Sequence, residues 1–150
     1  MMSQADIGPE TCDFCRIARG EDRSVEVVCE GENWVAFFPL DPATPGHTLV
    51  IPRKHIADLW KAEPALAADL TTAVIRVGCA INASLKPDGM NLITSAGRVA
   101  EQTVFHLHLH VVPRWRQDGF GDIWPPPRKY TDSQLENIAD RIREACLNPL

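Results

Sequence analysis

From Phe105 to Pro113 the chain reads Phe-His-Leu-His-Leu-His-Val-Val-Pro, with apolar residues and histidines in alternation. Extended backbone turns successive side chains to opposite faces and advances ~3.3 Å per residue. The pattern therefore predicts a strand over residues 103–112. Phe105, Leu107, Leu109 and Val111 share its core face, and His106, His108 and His110 share the other at steps of ~6–7 Å. Each imidazole carries polar nitrogens that need partners when they leave water, so a row of three serves a core poorly and a site well.

The remaining patterns set the surroundings of that strand. A short helix is expected over 13–19, stopped by Gly20. Strands are expected over 25–30 and 34–38 with Gly31-Glu32-Asn33 as their turn. A further strand over 47–52 carries Leu49-Val50-Ile51, and a helical turn is expected over 56–60. Leu66, Leu70, Ala73, Val74, Val77, Ala80, Ile81 and Leu85 recur at three- and four-residue steps behind Pro64, which predicts a long helix over 64–86. A strand over 90–95 follows. Ser133-Gln134-Leu135-Glu136 has the form of a capping box for a last helix. This order of elements predicts an α+β fold, an antiparallel sheet with helices on one side.

At 150 residues the expectation is one domain, with a core over about 12–124 and a connector, Trp124-Pro125-Pro126-Pro127, leading to the terminal helix. No apolar run of ~18 residues is read as a membrane span. Residues Met1–Asp6 have neither a basic flank nor an apolar centre, so no export leader is expected. A net charge of −5 argues against non-specific binding to nucleic acid or membranes. Five cysteines, an odd number, fit reduced thiols in the cytoplasm better than a disulfide framework. Two of them form Cys12-Asp13-Phe14-Cys15, a spacing that suits two metal-bound thiolates, a redox pair or two buried thiols.

Chemistry follows from the histidine row. A neutral imidazole keeps one nitrogen with a free lone pair near pH 7, provided that the other donates a hydrogen bond, with a backbone carbonyl as the natural acceptor. Such a nitrogen is a candidate nucleophile, able to divide one hard group transfer into two easier steps through a covalent intermediate.

His106-Leu107-His108-Leu109-His110-Val111-Val112 resembles the signature of the histidine triad (HIT) superfamily. Gly97-Arg98-Val99-Ala100-Glu101-Gln102-Thr103-Val104 is similar to the approach to that signature, and Pro45-Gly46-His47-Thr48-Leu49-Val50-Ile51-Pro52-Arg53-Lys54-His55 to its upstream strand. Cys12-Asp13-Phe14-Cys15 with Gly20 resembles the start of bacterial members. The resemblance implies a homodimer of HIT-like fold that binds nucleoside monophosphate groups. It would cleave them from phosphoramidates, nucleotide conjugates or dinucleoside polyphosphates. It makes His108 the nucleophile and sets His110 beside the phosphate. Ser95, Gln102 and Thr103 become substrate contacts.

The resemblance also implies a structural zinc held by Cys12, Cys15, His47 and His106, the alternative being that the two histidines only hydrogen-bond behind the nucleophile. Three positions depart from the family pattern. Ser95 stands in place of Asn, Glu101 in place of Gly, and Pro39 in place of the acid that holds the ribose, with Asp41 two residues on as its substitute. The competing functions are removal of adenylate from nucleic-acid ends and a non-catalytic nucleotide- or zinc-binding regulatory module. Arg53, Lys54 and His55 form one basic cluster and Arg114 with Arg116 another, each read as a phosphate contact or as solvated charge.

Overall fold

The first hairpin forms around a residue that has to be glycine. β1 (Val27–Glu30) returns as β2 (Trp34–Phe37), and the Gly31 amide donates to the Trp34 carbonyl at 3.0 Å. A Cβ at Gly31 would lie 2.5 Å from the Trp34 indole nitrogen. The computed structural model describes residues 8–147, so the N-terminal segment 1–6 read for a leader lies outside the described residues. The chain divides into two compact units, one ending at Phe120 and one beginning at Gly121.

In the first unit β3 (Thr48–Pro52), β4 (Gly89–Ile93) and β5 (Leu109–Arg114) complete a five-stranded sheet of order β1-β2-β3-β5-β4, antiparallel throughout. β5 thus enters between β3 and the edge strand β4. Period-two alternation sends its residues to opposite faces. Leu107, Leu109 and Val111 join Trp34, Ala36 and Val50 in a core under α2 (Pro64–Leu85), which contributes Leu70, Ala73, Val77 and Ile81. The opposite face carries Val35, Phe37, Leu49 and Ile51, packed on Ile17 and Ala18 of α1 (Asp13–Ala18). Helices therefore cover both faces, not one, because α1 is apolar on the side that the α2 core leaves bare.

Two expectations need correction. The histidine strand is shorter than its alternation: regular pairing begins at Leu109, and residues 104–106 bend. The ladder stops near Pro52, which has no amide to donate to a longer partner. Phe105 is only half-buried and stacks with Arg98, outside the core. α2, 22 residues long, has the length and composition of a membrane span, with a mean hydropathy of 1.4 over an 18-residue stretch of it. Its buried stripe nonetheless packs on the sheet.

The second unit contains α3 (Asp132–Leu147). Its capping box is shifted two residues from the expected one. Thr131 Oγ1 accepts from the Gln134 amide at 3.3 Å, and Gln134 Oε1 accepts from the Thr131 amide at 2.9 Å.

Candidate active site and metal cluster

The three histidines leave the sheet on the face of α1, and each has a different set of partners. His108 is buried, and its Nδ1–H donates to the main-chain carbonyl of His106 at 2.7 Å. That bond fixes the tautomer and leaves Nε2 with its lone pair. The His108 carbonyl in turn accepts from the Thr94 hydroxyl at 2.9 Å, so both ends of the residue are tied. Phe14 of α1 stands edge-to-face on the His108 ring at 5.3 Å and on Phe37 at 5.5 Å. Burial pushes His108 below the ordinary histidine range, partly opposed by its bond to the carbonyl. It is neutral at pH 7, as a nucleophile must be.

His110 lies 4.9 Å from His108, ring centre to ring centre. Burial, with His108 and His47 adding to it, pushes His110 down to about 4. Its Nδ1 sits 2.9 Å from His47 Nε2, and His47 Nδ1 accepts from the Ala43 amide at 3.0 Å. His47, His108, His110, Thr103 and Val104 line a cleft of about 530 Å³, together with the apolar Phe14, Ile17, Phe37, Leu40 and Leu49. That volume suits a small-molecule ligand, and Pro39 and Asp41 also line it.

Behind His108, Cys12 Sγ, Cys15 Sγ, His55 Nδ1 and His106 Nδ1 all lie within 4.8 Å of one another. Zinc at ~2.3 Å from sulfur and ~2.0 Å from nitrogen in a tetrahedron sets each S···N edge at roughly 3.5 Å. The observed edges are 3.5 Å from Cys12 to His106, 3.5 Å from Cys15 to His106 and 3.3 Å from Cys15 to His55. His106 Nε2–H donates to the Pro52 carbonyl at 2.8 Å, which turns the bare Nδ1 toward the thiols. The donor set fits zinc. Burial pushes the Cys15 thiol up to about 11, with the neighbouring Cys12 adding to it. A divalent cation supplies the charge that such a pair of thiolates needs.

His47 is not in this cluster; His55 takes its place. Thr48 faces Val111 and Val50 faces Leu109, so each step forward on β3 is a step back on β5. Continuing that register sets residue 53 opposite His106 and residue 112 opposite His47. His47 therefore lies roughly 20 Å along the sheet from a position facing His106, at ~3.3 Å per residue. The pairing that brings His55 to the cysteines delivers His47 to His110.

The other expected contacts divide. Thr103 and Asp41 line the cleft; Ser95 and Gln102 do not. Gln102 is 3% exposed and fully engaged with backbone. Its Oε1 accepts from the Gly97 amide at 2.8 Å, and its Nε2 donates to the carbonyls of Ala57 at 2.6 Å and Val104 at 3.1 Å. Several side chains of the basic clusters are held by protein partners. Arg53 binds the Ala18 and Gly31 carbonyls and the Glu30 carboxylate, Lys54 pairs with Glu63, and Arg114 pairs with Asp118 and Asn91.

The HIT domain family model matches residues 21–117, about two-thirds of the chain. The chain belongs to the HIT family. A crystal structure of a HIT family protein from Bacillus anthracis superposes with a TM-score of 0.82 at 38% identity, covering 91% of this chain and 97% of the other. A Zn-bound histidine triad family protein from Mycobacterium smegmatis is 34% identical with a TM-score of 0.70, over 92% and 99% of the two chains. Adenosine 5'-monophosphoramidase hnt1 of Schizosaccharomyces pombe is 34% identical over 116 residues, 77% of this chain and 84% of its own length.

Within this HIT domain three residues of the site escaped sequence reasoning. His55 was open to detection, since antiparallel pairing of the two histidine-bearing strands sets the end of one against the start of the other. Phe14 lies between the cysteines, and only the packing of α1 shows that its ring faces the cleft. Thr94 adjoins Ser95, the hydroxyl that the resemblance singles out. Nothing local distinguishes the two hydroxyls before the register of β4 on β5 is known.

Proposed function

We propose that this HIT domain hydrolyses or transfers nucleoside monophosphate groups through a covalent intermediate on His108. The observation that carries the reading is the 2.7 Å bond from His108 Nδ1–H to the His106 carbonyl, which leaves Nε2 as a bare nucleophile in a cleft-lining residue. In the first step the Nε2 lone pair forms a bond to phosphorus. The bond from phosphorus to the leaving nitrogen or oxygen breaks, and that atom keeps the electron pair and takes a proton from water. In the second step a water oxygen bonds to phosphorus, the phosphorus–Nε2 bond breaks, and the pair returns to His108 as the water proton passes to solvent. The step needs donors aimed at the phosphate oxygens before reaction. His110 and the backbone amides near Thr103, both cleft-lining residues, are the donors of this reading.

Phosphoramidates, nucleotide conjugates and dinucleoside polyphosphates are the substrate classes of this reading, and the similarity to an adenosine 5'-monophosphoramidase supports the first of them. Asp41 at the rim is the acceptor for sugar hydroxyls, since Pro39 offers only a carbonyl.

Cys12, Cys15, His55 and His106 hold zinc in the same reading. With four protein ligands the ion supplies rigidity and no open position for substrate. The main-chain carbonyl of His106 anchors His108, so the tetrad and the nucleophile share one residue. A homodimer belongs to the reading as well. Val28, Phe38, Val77, Ala80, Ile81 and Leu85 line an open groove of about 400 Å³, and Leu92 on the edge strand β4 is 57% exposed.

The test is incubation with adenosine 5'-phosphoramidate, followed by mass spectrometry of the intact protein after rapid quenching. Wild type gains the mass of one adenylyl group, and His108→Ala gains none and loses turnover by at least ~10²–10⁴-fold. Turnover in His108→Ala at the wild-type rate would remove the nucleophile from the proposal.

A further inference from the structure

The turn before β3 carries a chain of directed hydrogen bonds that ends in the cleft. A backbone amide can only donate, so the Ala43 N–H at 3.0 Å makes His47 Nδ1 an acceptor without a proton. Burial pushes His47 below its ordinary range, and it is 6% exposed, so it is neutral at pH 7 and carries its one proton on Nε2. That proton points at His110 Nδ1, 2.9 Å away, with the two rings stacked at 5.2 Å and 28°. His110 Nδ1 must then accept, and the proton of a neutral His110 lies on Nε2.

The source of this directionality is itself built in. The Thr44 hydroxyl donates to the Pro113 carbonyl of β5 at 2.7 Å, and Thr44 is 4% exposed. The His47 amide donates to the Thr44 carbonyl at 3.0 Å, and Gly46 completes the turn at φ +81°. The turn that presents the Ala43 amide is thus pinned to the strand that carries His110.

We propose that His47 is a positioning residue that holds His110 as the Nε2–H tautomer, so that His110 presents a hydrogen-bond donor to the cleft. In the other tautomer a bare lone pair would meet an anion. That the anion is a phosphate rests on the hydrolase reading; the tautomer does not. Loss of one donor preorganised for developing negative charge costs ~10²–10³ in rate, which bounds what His47 can control.

The experiment uses full-length protein with ¹⁵N-labelled histidine and two-bond nitrogen–proton correlation spectra at pH 7. In wild type, His110 shows a protonated Nε2 and a bare Nδ1. In His47→Ala that single tautomer gives way to a mixture. In His47→Gln, whose amide can still donate, it persists. Isothermal titration with AMP and adenosine supplies the second readout. His47→Ala lowers the ratio of AMP to adenosine affinity by about tenfold or more while adenosine binding holds, and His47→Gln recovers most of it. A wild-type spectrum with the His110 proton on Nδ1, an unchanged tautomer in His47→Ala, or a lost one in a folded His47→Gln would each overturn the proposal. If wild type binds no AMP, the hydrolase reading fails, and the spectra still decide the role of His47.

Discussion

Gln102 separates a substrate contact from a structural one, and its variants give opposite results for the two. The resemblance assigns it to phosphate, yet its carboxamide bonds three backbone groups, the Gly97 amide and the Ala57 and Val104 carbonyls. Those bonds tie the residue 97–102 loop, with Gly97 at φ +86°, to the segment after β3 and to the approach to the histidines. At ~1 kcal/mol net per hydrogen bond, Gln102→Ala costs about 3 kcal/mol. For a chain of this length that corresponds to a fall of about 10 °C in Tm.

Urea denaturation with an unchanged m-value reads the loss directly, and AMP affinity is measured at a temperature where both proteins are folded. Gln102→Glu sharpens the test at constant volume. It keeps the acceptor for Gly97 but turns a carboxylate on two carbonyl oxygens, so at pH 7 it destabilises at least as much. The folded state then holds the carboxyl proton more tightly than the unfolded state, and stability rises as pH falls. A loss below ~0.5 kcal/mol in Gln102→Ala, within the range of ordinary surface changes, together with lost AMP binding, would refute the structural role.

Two further outcomes are expected. Elemental analysis of freshly purified protein finds about one zinc per chain. His55→Ala and Cys12→Ala lose the zinc and lower Tm, whereas His47→Ala retains it, because His47 lies outside the tetrad. Zinc retained in His55→Ala and lost in His47→Ala would restore the ligand set expected from sequence. Light scattering at micromolar concentration gives twice the 16.6 kDa chain mass if the α2 groove and the β4 edge are covered by a second copy, and a clean monomer excludes that pairing.

What the chain determines by itself is whatever depends on period and local stereochemistry. Alternation alone divided Leu107, Leu109 and Val111 from the histidines, because a pleated backbone has only two faces. Steps of three and four with Pro64 at the start marked α2. Three histidines on one face marked the candidate site, and a donor–acceptor argument anticipated the carbonyl that holds His108. What only the tertiary structure decided is which distant residues meet. The choice between His47 and His55 for the thiols turns on the register of β3 against β5, set by pairing between segments some 60 residues apart. The role of Gln102 turns on whether its amide faces a ligand or a carbonyl, and the sequence lists both kinds of partner without distances. Phe14 reaches His108 only because α1 covers the sheet face that α2 leaves open. Local patterns carry angles and polarity. Contacts across the chain carry the choice of partner, and in this HIT domain that choice decides which histidine meets the thiols and which meets His110.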